Sequence, residues 1–188
     1  MTRALACLTI IFCSMLTAAV GADEDVDKDL LESSDNITAT LQGYEWQLDL
    51  VALRALPADS WQQLLAVVRD ETKPAFIRER AAASLVAFPN DEVLAFYQQS
   101  LVATGPGLHR GRQVESLCMG FAEQRSAAVE QAVLPLLETT EGRLRVPAAR
   151  CLQAMDLPGS KAALVRYREQ VAGTWEASAL EHVPRQEH

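Results

Sequence analysis

Residues 77–85 and 144–152 of this chain spell one nine-position pattern, apolar-Arg-x-x-Ala-Ala-x-small-Leu. The first copy is Ile77-Arg78-Glu79-Arg80-Ala81-Ala82-Ala83-Ser84-Leu85, the second Leu144-Arg145-Val146-Pro147-Ala148-Ala149-Arg150-Cys151-Leu152. A weaker copy, His109-Arg110-Gly111-Arg112-Gln113-Val114-Glu115-Ser116-Leu117, lies between them. Arg78, Arg110 and Arg145 are spaced by 32 and then 35 residues, and Leu85, Leu117 and Leu152 keep that spacing. A further step of 32 back from Leu85 reaches Leu53, where Leu56-Pro57 falls on Phe88-Pro89. A short pattern returning every few tens of residues marks a stacked-repeat architecture, whose units bury their apolar faces against their neighbours.

Within a copy the period is helical. Ile77, Ala81, Ala82 and Leu85 fall at i, i+4, i+5 and i+8, on one face of a helix. Small residues in mid-helix let a neighbouring helix approach closely. Each pattern helix then meets a proline or glycine and a turn, and Asp59-Ser60, Asn90-Asp91 and Ser160 offer oxygens to start the next. Those following helices are expected over 60–69, 91–102, 126–138 and 160–171. Their inward faces carry Trp61, Leu64, Leu65 and Val68, then Val93, Phe96, Tyr97 and Leu101. Val129, Val133, Leu134 and Leu137 come next, and Leu164, Val165 and Tyr167 close the series.

The Ile77 and Leu144 copies resemble the second helix of the HEAT-repeat family, which reads Val-Arg-x-x-Ala-Ala-x-Ala-Leu. The resemblance covers roughly residues 44–171 and implies an all-α, armadillo-like fold. It would be a right-handed α-solenoid of about four HEAT-like helical hairpin repeats. The signature of a tetratricopeptide array is absent at the required period. A first helix is expected over 44–56, and Gly105-Pro106-Gly107 should make the third copy irregular. A capping helix over 175–180 and a frayed tail fill out 172–188.

Upstream, residues 1–22 read as a secretory signal peptide. Arg3 supplies the positive start, an apolar stretch follows, and Val20-Gly21-Ala22 places small residues before Asp23. A cleaved leader is expected over a retained anchor, because the apolar run is short for a span of about 20 residues. Neither Cys7 nor Cys13 stands in a lipoprotein cleavage box. Residues 23–43 are expected to be an acidic, flexible lead-in, solvated or serving as a docking tail for a basic partner. Asn36-Ile37-Thr38 is a glycosylation sequon by pattern. The protein would then be periplasmic or secreted, with no membrane span after cleavage.

Charge narrows the partners. The formal net charge is −8, and removing the leader removes only Arg3 among the charged side chains. A basic excess would be needed for general binding to nucleic acid or anionic membranes, so neither is expected. Motifs for chemistry are equally sparse. His109, His182 and His188 are scattered, no Cys-x-x-Cys or His-x-x-x-His occurs, and no Gly-x-Ser-x-Gly is present. No catalytic, cofactor-binding or metal-binding residues are therefore assigned, and no cofactor is expected. Beyond the leader the cysteines are Cys118 and Cys151. Their register positions differ by about 200° around a helix of 3.6 residues per turn. Since a disulfide needs Cβ atoms about 3.8 Å apart, two buried free thiols are expected, with a disulfide as the alternative.

One feature could exceed scaffolding. Arg78, Arg80, Arg110, Arg112, Arg143 and Arg145 recur near the starts of successive pattern helices, and stacking would line them into a ladder. Cations are disfavoured at a helix N-terminus, so anions should compensate. Glu71, Glu79, Glu115 and Glu141 offer local pairing, while a partner's carboxylates or phosphates would suit the planar guanidinium fork. The expected function is an exported, non-catalytic scaffold or adaptor that binds another exported protein. A HEAT-like protein of lyase or chaperone type, handling a small ligand or cofactor, is the alternative; it would need a pocket with a reactive Cys or acid, and an accessible low-pKa thiol at Cys118 would favour it. A structural element of a larger envelope assembly is a third reading.

Overall fold

The computed structural model describes residues 37–103 and 108–181. Its regular elements are all helical among the described residues. In chain order they are α1 (Leu50–Arg54), α2 (Ser60–Arg69), α3 (Ala75–Ser84), α4 (Asp91–Val102), α5 (Arg110–Phe121), α6 (Ser126–Val133), α7 (Gly142–Met155), α8 (Pro158–Gln170) and α9 (Trp175–Glu181). Short 3-10 turns, Leu85–Ala87 and Leu134–Glu138, tighten the ends of α3 and α6. The leader, the acidic 23–36 stretch with Asn36, Gly105-Pro106-Gly107, His182 and His188 lie outside the described residues.

Helices α3, α5 and α7 carry the nine-residue pattern, and they pack in series: α3 on α5, α5 on α7, and α7 on the short α9. Each is also backed by its hairpin partner, α2 on α3 and α6 on α7, while α4 packs on α5 and α8 on α7. The core runs without a break through Leu64, Ile77, Leu85, Val93, Tyr97, Leu117, Val129, Leu144, Leu152 and Tyr167. Ala81, Ala82, Ala148 and Ala149 have no exposed surface. Replacing Ala82 or Ala149 by Leu should lower stability by about 1–3 kcal/mol, because a filled interface has no room for added methylenes. Chemical denaturation checks this, and an unchanged midpoint would count against such close packing.

Local chemistry explains the boundaries. Asn90 caps α4 by accepting from the Val93 N–H at 2.9 Å. Asp156 ends α7 in the left-handed region at φ 48°. Ser84, buried in the small position of the pattern, is satisfied by donating from Oγ to the Arg80 carbonyl at 2.9 Å. Tyr97 lies fully buried, and its hydroxyl donates to the Ala82 carbonyl at 2.6 Å, fastening α4 to α3. Inside α7, Pro147 deprives the Arg143 carbonyl of its usual i+4 donor. That carbonyl faces Gly111, where a Cβ would stand only 3.2 Å away, so α5 and α7 approach through a glycine.

Two expectations change. The helix expected over 44–56 is confined to Leu50–Arg54. Gly43 turns the chain at φ +116°, and the Asp49 side chain accepts from the Val51 and Ala52 N–H groups at 3.0 Å, setting the start at Leu50. Residues 37–41, counted with the flexible lead-in, place Ile37 and Leu41 in the core. The pattern helix of the third copy, α5, is a complete 12-residue helix with Val114, Leu117 and Phe121 buried, while the Gly105-Pro106-Gly107 stretch expected to disturb this copy lies outside the described residues.

The cysteines require the largest correction. Cys118 and Cys151 form a disulfide between α5 and α7, with Cα atoms 5.6 Å apart, rather than two free thiols. The register argument took residues far apart around the helix to point away from each other. Helices placed side by side in the same orientation meet through opposite flanks, one forward and one backward. A difference of about 200° in register is therefore what facing positions require.

Candidate functional site

The six arginines divide into three whose guanidiniums are engaged by hydrogen bonds or ion pairs and three for which no such partner stands among the described residues. Arg80 donates through Nη1 to the carbonyls of Leu41 at 2.8 Å and Gly43 at 2.9 Å, tying α3 to the N-terminal turn. Its guanidinium carbon also lies 5.3 Å from the Trp46 ring centroid and 5.1 Å from that of Phe76. Arg110 pairs with Glu141, the residue preceding α7. Arg145 meets Glu176 of α9 in a two-pronged bond, Nε to Oε2 at 2.9 Å and Nη2 to Oε1, and also donates to the Thr139 carbonyl. The hydroxyl of Tyr167 donates to the same Glu176 carboxylate at 2.7 Å.

These contacts belong to a wider set of ties between successive units. Glu79 accepts from the His109 N–H, Ser160 donates to Glu130, and Arg150 donates to the Ala179 carbonyl. Including Arg110–Glu141 and Arg145–Glu176, the partners are 29 to 31 residues apart. Of the acids expected to compensate the arginines, only Glu141 pairs with one directly. Glu79 instead satisfies the start of α5, and Glu71 and Glu115 are exposed. Glu176 was missed because it lies in the terminal segment, yet it stands 31 residues after Arg145, as Glu141 does after Arg110.

Arg78, Arg112 and Arg143 form the second group. Arg78 is half-buried and its Nε has no hydrogen-bond partner. The Asp70 carboxyl nearby is held below its usual range chiefly by hydrogen bonds from Thr72, at 2.6 and 2.9 Å, with the Arg78 charge contributing less. Arg112 on α5 and Arg143 on α7 are exposed and without a hydrogen-bond or ion-pair partner among the described residues.

Arg112 borders a groove of about 610 Å³ between α3 and α5. Trp46, Ala75, Phe76 and Ala83 give it an apolar lining, and Glu79, Arg80, His109 and Gln113 add polar groups. Phe76 is 53 % exposed. A second cavity, about 640 Å³, lies between the ends of α7, α8 and α9 beside Val171, Ala177 and Leu180. None of the six ladder arginines lines it. Among the described residues no cluster of His, Cys, Asp and Glu is placed to hold a metal ion. No described helix is long and apolar enough to cross a membrane.

The chain matches no protein-family model, no curated protein and no solved structure.

The Arg145–Glu176 contact has a pH signature. The bond from Arg145 holds the Glu176 carboxyl below its ordinary value of 4.5, outweighing the opposite effect of burial. Being lowered on folding, this pKa contributes stability that is complete above the ordinary carboxylate range. The contribution is lost as pH falls through the lowered value. Thermal melts below about pH 4 should show a steep acid loss that Glu176→Gln flattens; equal slopes would contradict the assignment.

Proposed function

We propose that this chain is an exported, non-catalytic scaffold that binds another exported protein, built as a right-handed HEAT-like α-solenoid of about four helical hairpins. The serial packing of α3, α5, α7 and α9, with polar ties 29 to 31 residues apart, supports the architecture. One observation carries the binding role: Arg112 and Arg143 are exposed and without a partner among the described residues, while the neighbouring Arg80, Arg110 and Arg145 are all engaged. Exposed guanidiniums with no internal partner suit carboxylates on another molecule. The disulfide takes the Cys118 thiol away from the small-ligand alternative, which would then have to rely on an acid in a pocket.

The test is affinity capture from the host's exported fraction, with wild type beside Arg112→Glu/Arg143→Glu. A protein retained by the wild type and lost by an equally helical variant is the expected result. Equal retention would remove the arginines from the site, and no retention at all would remove the scaffold reading.

A further inference from the structure

We propose that the groove between α3 and α5 binds an extended, acidic segment of the partner protein, one that carries an aliphatic or aromatic side chain between carboxylates. This rests on the scaffold reading and names the partner's chemistry.

The groove combines two kinds of surface in one place. Phe76 and Trp46 offer rings, and Ala75 and Ala83 leave space beside them. Two guanidiniums, Arg80 and Arg112, stand at the same groove against one carboxylate, Glu79. One oxygen of that carboxylate is already committed to the His109 N–H. The groove is thus locally positive on a chain whose net charge is −8, which favours an acidic occupant and repels most of the chain's own surface.

Arg80 cannot swing away, because the Leu41 and Gly43 carbonyls hold it. Its charge therefore stays in the groove without being neutralised, as carbonyls carry no net charge. Arg112 is free to close on a carboxylate. The side chain of Phe76 supplies the apolar contact, which a purely acidic segment would leave unused.

A third observation favours a peptide over an isolated anion. Gln113 lines the groove, is 1 % exposed, and its Oε1 has no hydrogen-bond partner among the described residues. A buried amide oxygen left unpaired is costly, and a small shift that uncovers it would let a backbone N–H of an extended segment satisfy it, a donor that an isolated anion lacks. The groove volume of about 610 Å³ accommodates a few side chains rather than a folded domain.

Fluorescence anisotropy tests this with three labelled synthetic peptides and the full chain. The first is Asp-Asp-Leu-Asp-Phe-Asp-Asp, the second has Lys for every Asp, and the third has Gly for Leu and Phe. The first should bind at least tenfold more tightly than the others. Arg112→Glu and Phe76→Ala should each weaken it tenfold or more, while Arg166→Glu, on exposed α8 surface, should leave it unchanged.

Equal binding of all three peptides, or of none, would overturn the proposal. So would binding that ignores both groove substitutions. Binding that emerges only after the acids of residues 23–36 are changed to their amides would assign the groove to this chain's own acidic segment instead. An exported protein still captured by Phe76→Ala and by Arg112→Glu would overturn the groove while leaving the scaffold reading in place.

Discussion

Reducing the Cys118–Cys151 disulfide will destabilise the protein by about 3 to 4 kcal/mol, the loop-entropy expectation for a closure of this length. The bond links residues 33 apart and joins α5 to α7, so it restrains the unfolded chain across one full repeat interval. For a chain of this size the loss corresponds to roughly 10 °C in Tm. Cys118→Ala/Cys151→Ala should reproduce most of it, with added reductant having no further effect on that variant. Alkylation checks the chemistry independently: both sulfurs should resist iodoacetamide in the native protein until reductant is present. Thiols that alkylate after unfolding without reductant, with superimposable melts, would contradict the bond.

Removing the Glu176 carboxylate will have the second large effect. The side chains of Arg145 and Glu176 are 15 % and 6 % exposed, so neither ion is freely hydrated. Glu176→Ala leaves the Arg145 charge buried and takes away the acceptor of the Tyr167 hydroxyl. Breaking one side of such a pair costs about 3–5 kcal/mol. An apolar pair, Arg145→Met/Glu176→Leu, should recover much of that loss because no charge is left uncompensated. The loss should concentrate at α9, whose Trp175 and Glu176 side chains crowd Gly142 at the start of α7. Hydrogen exchange would locate it: α8 and α9 should exchange faster in Glu176→Ala while α3 keeps its protection. Uniform acceleration throughout the chain would show that α9 is not a local cap.

Much of the helical framework was legible because small residues and leucines recur at fixed intervals. The Ala-Ala pairs mark pattern helices that pack closely, and Asn90 marks a start that the side chain does cap. What periodicity left out was everything decided between helices. The disulfide depended on which flank of α5 faces α7, a relation the register contains but which was read with the wrong sign. Glu176 could have been found by extending the Arg110–Glu141 spacing one unit further. Trp46 and Gln113 carried no such signal. Trp46 lies outside the repeated pattern, and it joins Phe76 and Arg112 at the groove beside the turn that Arg80 holds at Leu41 and Gly43. The length of α1 was set by Gly43 and Asp49, local features that outweighed an apolar pattern running through residues 44–56.

On the proposed function, one set of arginines holds the fold together while another is left for a partner. Thermal unfolding of two charge-reversal variants tests it most directly. Arg110→Glu/Arg145→Glu places like charges beside Glu141 and Glu176 and should lower Tm by roughly 10 °C or more. Arg112→Glu/Arg143→Glu touches no partner among the described residues and should stay within about 2 °C of the wild type. Equal losses in the two variants, or a larger loss in the second, would contradict the division.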